Sequence, residues 1–380
     1  MWWARPAARA WTCAPAPAGA RAFHAALPGY APTPLTELPA LAPELGVARV
    51  FVKDESARLG LPAFKALGAT WAVHRALEER AGGTADPGVT LVCATDGNHG
   101  RAVARTARLL GARAHVFVPQ GVYPHAVRAI AAEQAEVTRV EGPYDDAVRR
   151  AAEAAAAPDS LLIQDSAWPG YEQVPAWIVE GYSTLCAEID AQLADAGAEL
   201  PGLVVVPAGV GSLAQAVVTH YRSTSYGGTR AREGSPSGPP PALLTVEPES
   251  AACVLASLAR DELHTVPTGE TAMAGLNCGT PSSLAWPVLR GGLDAAIAVT
   301  DAESARAAEV LAALGVSSGP CGAAPLAGVR AALAGPGAEQ RRASLALDPG
   351  AVVVLLSTEG AAANPHGSDV RGEVKPARRA

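Results

Sequence analysis

Lysine is the scarcest chemically versatile residue in this chain. Of its 30 basic residues, only Lys53, Lys65 and Lys375 are lysines, and the rest are arginines. A sequence biased this strongly toward arginine keeps lysine where arginine cannot replace it. A lysine can lose its proton near neutral pH and form an imine with a carbonyl group, whereas a guanidinium cannot. The chemistry that most needs a lysine is a Schiff base, above all to pyridoxal phosphate.

Lys65 is the candidate for that chemistry. It lies in the segment AFKALGA, at the start of a helix predicted over 64–80. The apolar neighbours Phe64, Ala66 and Leu67 favour a cofactor-bearing amine over an ordinary exposed lysine. Lys53 follows a predicted strand and precedes two acidic residues, so we expect a structural ion pair there.

The segment ATDGNHG predicts a junction between a strand and a helix. The free N–H groups of a helix N-terminus can hold a carboxylate, and the side chain of Asn98 could hydrogen-bond the phenolate oxygen of a pyridine ring. An ordinary turn with a helix cap is an equally good interpretation of these residues alone. We interpret His99 as structural.

A glycine turn between a predicted buried strand and a helix could hold a phosphate through its backbone N–H groups. Its residues are Gly209, Val210, Gly211, Ser212 and Leu213. The same residues match the weak dinucleotide pattern GxGxxA, which requires an acidic residue about 20 positions later. The acid that ends the next strand, Glu247, comes too late, so a monophosphate site is favoured over an NAD(P) site.

Further polar residues follow other predicted strands. Ser357 and Thr358 end the last strand, where a hydroxyl could bond a ring nitrogen, although a strand-end cap is the alternative. Asp96 and Asp165 also end strands and together could act as general acid and base. Because the carboxyl ends of parallel strands meet at one edge of a sheet, we expect these groups to share one site.

The elements that position these groups alternate between strands and helices, which is typical of an α/β fold with parallel sheets. We predict two doubly wound open sheets with the active site between two domains. The predicted small domain covers 88–168 and the large domain covers 21–87 and 169–362. We expect a disordered leader over 1–20, a disordered insert over 222–241 and a polar tail over 363–380.

Composition excludes several functional classes. The net charge of −7 argues against a nucleic-acid or anionic-membrane partner, and the chain has no apolar run long enough for a membrane helix. The six cysteines are scattered without a CxxC pair, which favours reduced thiols in the cytoplasm over a metal site or disulfides. The leader has no apolar core of a secretory signal, and a transit peptide is the less favoured alternative to a frayed end.

Several long segments resemble the diaminopropionate ammonia-lyase family, within the tryptophan synthase β-like pyridoxal-phosphate enzymes. The resemblance spans 21–360 and is carried by RAFHAALPGYAPTPL, VKDESARLGLPAFKALGA, ATDGNHGRAVA, QDSAWPGYEQVPAWIVEGYSTL, PAGVGSLA, VEPESAAC, MAGLNCGTPSSLAW and STEG. It implies a homodimer and the elimination of ammonia from D- or L-2,3-diaminopropionate, giving pyruvate by way of aminoacrylate.

The resemblance also implies roles for individual residues. Lys65 would form the Schiff base, Asn98 would bind the ring oxygen and the turn from Gly209 to Leu213 would bind the phosphate. Asp96 and Asp165 would do acid–base work, and with Thr95 they would contact the substrate. One segment departs from the family pattern, because GESGA appears here as GPCGA, with Pro320 and Cys321 in place of a glutamate and a serine.

Two other functions remain open from the residues alone. A serine or threonine dehydratase, or another β-eliminating or β-replacing enzyme, would share the fold and Lys65. In such dehydratases the position before GNH usually holds a small or hydroxyl residue, so the carboxylate of Asp96 argues against them. A non-catalytic pyridoxal-phosphate binder is the third possibility, and the intact set of polar residues argues against it.

Overall fold

A computed structural model of the protein describes residues 1–81, 88–95, 97–142, 144–226 and 239–363. The strands in these ranges are β1 (Trp2–Ala4), β2 (Leu35–Glu37), β3 (Arg49–Asp54), β4 (Thr90–Ala94), β5 (Arg113–Pro119), β6 (Glu136–Val140), β7 (Ser160–Leu162), β8 (Pro201–Pro207), β9 (Ala242–Pro248), β10 (Ala295–Val299) and β11 (Val352–Ser357).

The α-helices are α1 (Ala20–Ala25), α2 (Leu41–Leu45), α3 (Lys65–Ala81), α4 (Asn98–Leu110), α5 (Pro124–Ala131), α6 (Tyr144–Ala154), α7 (Gln173–Asp195), α8 (Ser212–Tyr221), α9 (Cys253–Arg260), α10 (Trp286–Gly292), α11 (Asp301–Ala313), α12 (Pro320–Leu333) and α13 (Ala338–Ser344). None of the helices in the described ranges combines the length and apolarity that a membrane span requires.

The strands form two sheets, which confirms the predicted α/β fold. The larger sheet has seven strands in the order β1-β10-β9-β8-β11-β3-β2, and its five central strands are parallel. The smaller sheet has four parallel strands in the order β6-β5-β4-β7. All four lie within the predicted small domain, between residues 90 and 162.

The larger sheet is buried on both faces, as parallel sheets in α/β proteins are. Along β8, Leu203 and Val205 belong to one apolar cluster, whereas Val204 and Val206 belong to another. Successive side chains of a strand point to opposite faces, so helices must cover both sides. This arrangement explains why β8 appears in the sequence as an unbroken apolar run.

The expectation of a disordered leader over 1–20 is wrong for its first residues. The three residues of β1 pair antiparallel with β10, with Trp2 opposite Ile297. Trp2 packs on one apolar cluster of the sheet and Trp3 on the other. The lack of acids and of an apolar run suggested a frayed end, but two alternating indole rings supply enough apolar surface to hold a short strand.

The expectation of a disordered insert over 222–241 is wrong at its start. Arg222 is 1% exposed, and its guanidinium pairs with the buried carboxylate of Asp294. The nearby ring of Tyr226 is also buried. Residues 227–238 of the predicted insert lie outside the described residues, as does the predicted tail beyond residue 363.

Candidate active site

The functional candidates surround one cavity of about 780 Å³ between the two sheets. Its walls include Lys65 from the large domain and Asn98 and Asp165 from the small domain. Glycine-rich turn residues 208–213 and Thr358 form other parts of the wall. The fold therefore brings the ends of these strands together at one cavity, as the sequence predicted.

Lys65 and Asp165 form an ion pair across the cavity, with 2.7 Å between Nζ and Oδ2. Lys65 is the first residue of α3, and the backbone N–H of the preceding Phe64 donates to the carbonyl oxygen of Thr358. Asp165 follows β7, where the N–H of Ile163 donates to the carbonyl oxygen of Val92. Both side chains are largely buried, being 24% and 17% exposed, so water screens the pair only in part.

The electrostatics of this pair keep both groups charged. Burial raises the pKa of Asp165, but its interactions with His99 and Lys65 lower it by more, and the net result is a pKa of about 2. Burial lowers the pKa of Lys65, but the charge of Asp165 outweighs burial, so the pKa of Lys65 lies above its ordinary range. An ionised carboxylate therefore lies beside the amine of Lys65.

His99 is part of the site, although its sequence suggested a structural role. Its Nε2 donates to the carbonyl oxygen of Ile163 at 2.7 Å. Its Nδ1 lies 3.8 Å from Oδ2 of Asp165 and makes no hydrogen bond within the described ranges. Burial lowers the pKa of His99, and Asp165 partly opposes that effect. The hydrogen bond to the backbone therefore fixes the imidazole ring beside Asp165.

Asn98 contacts a carboxylate that the sequence analysis did not assign. Its amide Nδ2 donates to Oε2 of Glu359 at 2.8 Å, and Oε1 of Glu359 accepts from the backbone N–H of Cys321 at 3.2 Å. Glu359 follows β11, so the rule that pointed to Asp165 as an acid at a strand end would have found it too. The proposed contact of Asn98 with a ring oxygen stays a prediction.

Glu359 also bears on the GPCGA departure. Pro320 and Cys321 form the first turn of α12, and a Cβ on the preceding Gly319 would lie 2.9 Å from Oε1 of Glu359. A buried carboxylate therefore reaches this end of the cavity from β11, although the family's glutamate at position 320 is absent.

The glycine turn is built for a close approach to a ligand. It joins β8 to α8, and Gly211 has a φ of +94°, which favours glycine. A Cβ on Gly209 would lie 2.9 Å from Sγ of Cys278 and 3.1 Å from the carbonyl oxygen of Gly275. The turn opens toward the same cavity as Lys65, with the N-terminus of a ten-residue helix behind it.

The structure distinguishes the two hydroxyls that end the last strand. Thr358 lines the cavity. The hydroxyl of Ser357 lies 2.9 Å from that of Ser318 and packs close to Gly322, so it is engaged within the protein. Of the two candidates for the ring nitrogen, Thr358 is the one at the cavity.

Thr95 combines a position at the cavity with a structural contact. Its Oγ1 accepts hydrogen bonds from the backbone N–H groups of Gly97 and Gly100, at 3.0 and 3.1 Å, and so fixes the first turn of α4. Asp96 stands in the sequence between Thr95 and Gly97, which both line the cavity, and lies outside the described residues. The roles of Thr95 and Asp96 toward a substrate stay predictions.

Lys53 forms the structural ion pair expected of it, although its partner is distant in sequence. Its Nζ lies 2.6 Å from Oε2 of Glu188, on α7, and both side chains are almost fully buried. Arg58 binds the same carboxylate at 2.7 Å and also pairs with Glu55. Two cations and two anions thus balance within one buried cluster, away from the cavity.

These residues fit a phosphorylated pyridine aldehyde. The cavity holds an amine, and its glycine turn leaves no room for a Cβ at Gly209, as a phosphate cradle requires. Thr358 offers a hydroxyl to a ring nitrogen, and Asn98 offers an amide to a ring oxygen. The volume is within the range of sites for small ligands and cofactors.

The chain matches the family model described as pyridoxal-phosphate-dependent enzyme over residues 26–358. The chain belongs to the pyridoxal-phosphate-dependent enzymes, in the group that contains the diaminopropionate ammonia-lyases. It is 36% identical to the diaminopropionate ammonia-lyase of Salmonella typhimurium over 365 residues, which cover 89% of this chain and 87% of that protein. It is 35% identical to the corresponding Escherichia coli K12 enzyme, over 94% of this chain and 92% of the relative.

A solved structure gives the same result. The crystal structure of the Escherichia coli diaminopropionate ammonia-lyase, in complex with an aminoacrylate–pyridoxal-phosphate azomethine intermediate, superposes with a TM-score of 0.81 at 35% identity. The match covers 91% of this chain and 89% of that chain. The cofactor of this family member is pyridoxal phosphate and the protein is an enzyme; the dinucleotide interpretation of the glycine turn is therefore wrong.

Proposed function

We propose that this enzyme removes both amino groups of 2,3-diaminopropionate, giving pyruvate and two molecules of ammonia. The observation that carries the proposal is the ion pair between Lys65 and Asp165 at 2.7 Å. It places a carboxylate that can bind a second, substrate-borne ammonium group beside the lysine expected to hold the cofactor. The relatives named diaminopropionate ammonia-lyase support the same substrate.

When bound, pyridoxal phosphate supplies the electron sink that stabilises negative charge at the substrate α-carbon. We assign its aldehyde to Lys65, its phosphate to the turn from Gly209 to Leu213, and its ring nitrogen and ring oxygen to Thr358 and Asn98. A hydroxyl partner protonates a pyridine nitrogen less firmly than a carboxylate does, which favours elimination over transamination.

The residues of the chain divide the proton transfers between them. Lys65, once released from the cofactor, takes the α-proton of the L-isomer. We assign the α-proton of the D-isomer to Asp96. A general base positioned in this way contributes about 10²–10⁴-fold to the rate.

The β-amino group must leave as ammonia, because an amide anion is too basic to depart. It therefore has to be protonated as it leaves, and Asp165 is ionised well below neutral pH. A buried carboxylate at that position stabilises the ammonium form of the leaving group. A hydroxy-amino-acid dehydratase expels hydroxide or water instead and has no such cation to hold, so the alternative dehydratase function is less well supported.

The test is a pyruvate assay on purified protein supplied with pyridoxal phosphate. D- and L-2,3-diaminopropionate and L-serine are compared at equal concentration, and pyruvate is followed with lactate dehydrogenase. We expect turnover of at least one diaminopropionate isomer, with serine far slower, and no turnover by Lys65→Arg. Serine or threonine turnover with both diaminopropionate isomers inert would refute the proposal while leaving the cofactor assignment intact.

We further propose that the enzyme acts in the cytoplasm as a homodimer. The six cysteines all lie in the described part of the chain and none is joined in a disulfide, which supports a reducing compartment. Light scattering on the purified protein measures the oligomeric state, and a monomer at all concentrations would refute the dimer.

A further inference from the structure

A tyrosine buried next to Lys65 has a hydroxyl that forms no well-aligned hydrogen bond within the described ranges. Tyr182, on α7, is fully buried, and its Oη makes no hydrogen bond within the described ranges. A buried polar group without a partner is unfavourable and uncommon in folded proteins, so its presence needs an explanation. Phenylalanine would fill the same space without that penalty.

The ring of Tyr182 is held against the residues on either side of Lys65. It packs on Phe64 with 4.7 Å between ring centroids, and a Cβ on Gly68 would lie 2.6 Å from its Cε1. Gly181 meets the backbone of α3 just as closely, since its Cβ would lie 2.6 Å from the carbonyl oxygen of Leu67. The crossing of α3 and α7 therefore fixes the ring relative to the start of α3.

The electrostatics agree with this placement. Burial, the larger effect, raises the pKa of Tyr182 to about 12, and the charge of Lys65 opposes that rise together with a contact to its amine that falls short of standard hydrogen-bond geometry. The hydroxyl thus stays neutral at physiological pH. A neutral phenol can accept a hydrogen bond from an ammonium group and can donate one to a free amine.

Lys65 needs a second partner during the reaction. In this structure Asp165 holds its ammonium group. Under the proposed function, on which this inference rests, Asp165 is taken by the substrate amine when Lys65 has left the cofactor. We infer that Tyr182 is a positioning residue for Lys65, whose hydroxyl accepts the Lys65 ammonium while Asp165 is engaged elsewhere.

The Tyr182 hydroxyl should affect the protonation of Lys65 mainly when Asp165 is absent or bound to the substrate amine. It can be tested without turnover, because the chain has only three lysines. Lysine labelled with ¹³C at Cε gives three NMR signals in the cofactor-free protein, and Lys65→Arg identifies the signal of Lys65. The pH titration is recorded for Tyr182→Phe, Asp165→Asn and the double variant.

With Asp165 present, we expect the Lys65 signal to remain that of an ammonium group in the wild type and in Tyr182→Phe. In Asp165→Asn it should titrate within the accessible pH range. The double variant should titrate lower by about half to one pH unit, because a charge-assisted hydrogen bond is stronger than a neutral one. Identical titrations of Asp165→Asn and the double variant would overturn the inference.

Folding is checked with a matched tyrosine. The hydroxyl of Tyr171 is paired in both directions, since it donates to the carbonyl oxygen of Leu162 and accepts from the N–H of Gln164. Tyr171→Phe should therefore lower Tm, whereas Tyr182→Phe should leave Tm unchanged or raise it. A fall in Tm for Tyr182→Phe as large as that for Tyr171→Phe would mean a structural hydrogen bond and would contradict the inference. The NMR and Tm results stand whether or not diaminopropionate is the substrate.

Discussion

The carboxylate beside Lys65 offers the sharpest test of the proposed chemistry. Asp165→Asn keeps the size of the side chain and removes its charge. The pKa of Asp165 lies at about 2 rather than the usual 3.8, and each unit corresponds to about 1.4 kcal/mol. Net of the burial penalty, the surroundings therefore stabilise the carboxylate by roughly 2–3 kcal/mol. Both partners are less than a third exposed, so solvent screening removes only part of this energy.

If the departing ammonium group takes the place of the Lys65 ammonium, the same energy is lost from the elimination step. A loss of roughly 2–3 kcal/mol corresponds to a fall in kcat of roughly 30- to 150-fold. Pyruvate formation from each diaminopropionate isomer measures it, at a temperature well below the Tm of the variant. Cofactor absorbance is recorded in parallel, since bound cofactor must be retained for the comparison to hold.

Glu133→Gln is the matched control for this variant. Glu133 is a largely buried carboxylate with a lowered pKa, because hydrogen bonding and charge from Arg105 and its neighbours outweigh burial. It lies outside the cavity that holds Lys65. Its loss should lower stability and leave kcat within about twofold. An Asp165→Asn enzyme that keeps its cofactor and turns over diaminopropionate within about threefold of the wild type would refute the role given to Asp165.

Three other predictions follow from the geometry of the site and the core. Thr358→Val should weaken cofactor affinity about tenfold, whereas Ser357→Ala should change it little; fluorescence titration with pyridoxal phosphate measures both. Gly209→Ala should raise the Kd for the cofactor roughly tenfold by overpacking the turn, while Gly121→Ala, where a Cβ meets no atom within 4 Å, should not. Glu247 is buried, which raises its pKa from 4.5 to about 8, so the wild type loses stability as pH rises through 8 and this carboxyl group ionises in the folded protein. The stability of Glu247→Gln relative to the wild type should therefore increase by on the order of 3–5 kcal/mol between pH 5 and pH 9. Equal differences in Tm between variant and wild type at the two pH values would refute this.

Much of the site could be predicted because its residues are placed by local rules. Lys65, Asn98 and Asp165 each follow a strand or begin a helix, and in a parallel α/β fold such positions converge. The glycine turn before α8 was recognisable for the same reason. In each case a short pattern and the direction of the strands are sufficient to bring the residue to the cavity.

The contacts that were not predicted form where elements distant in sequence pack together. Tyr182 reaches Lys65 only because α3 and α7 cross at Gly68 and Gly181, and no local pattern gives a crossing point. Lys53 was expected to form an ion pair, but its partner, Glu188, lies on a helix 135 positions away. The contact between Asn98 and Glu359 likewise joins segments 261 positions apart.

The two outermost strands of the larger sheet protect it from unwanted association. An open parallel sheet presents a row of free N–H and C=O groups at each edge, which another chain can join. Here β1 and β2 cover the two edges of the parallel strands, and each is antiparallel and only three residues long. The edge that remains exposed on either side is only three residues long, which is a short template for another strand to pair with, so the tryptophans that hold β1 in place also shield the parallel strands from edge-to-edge pairing.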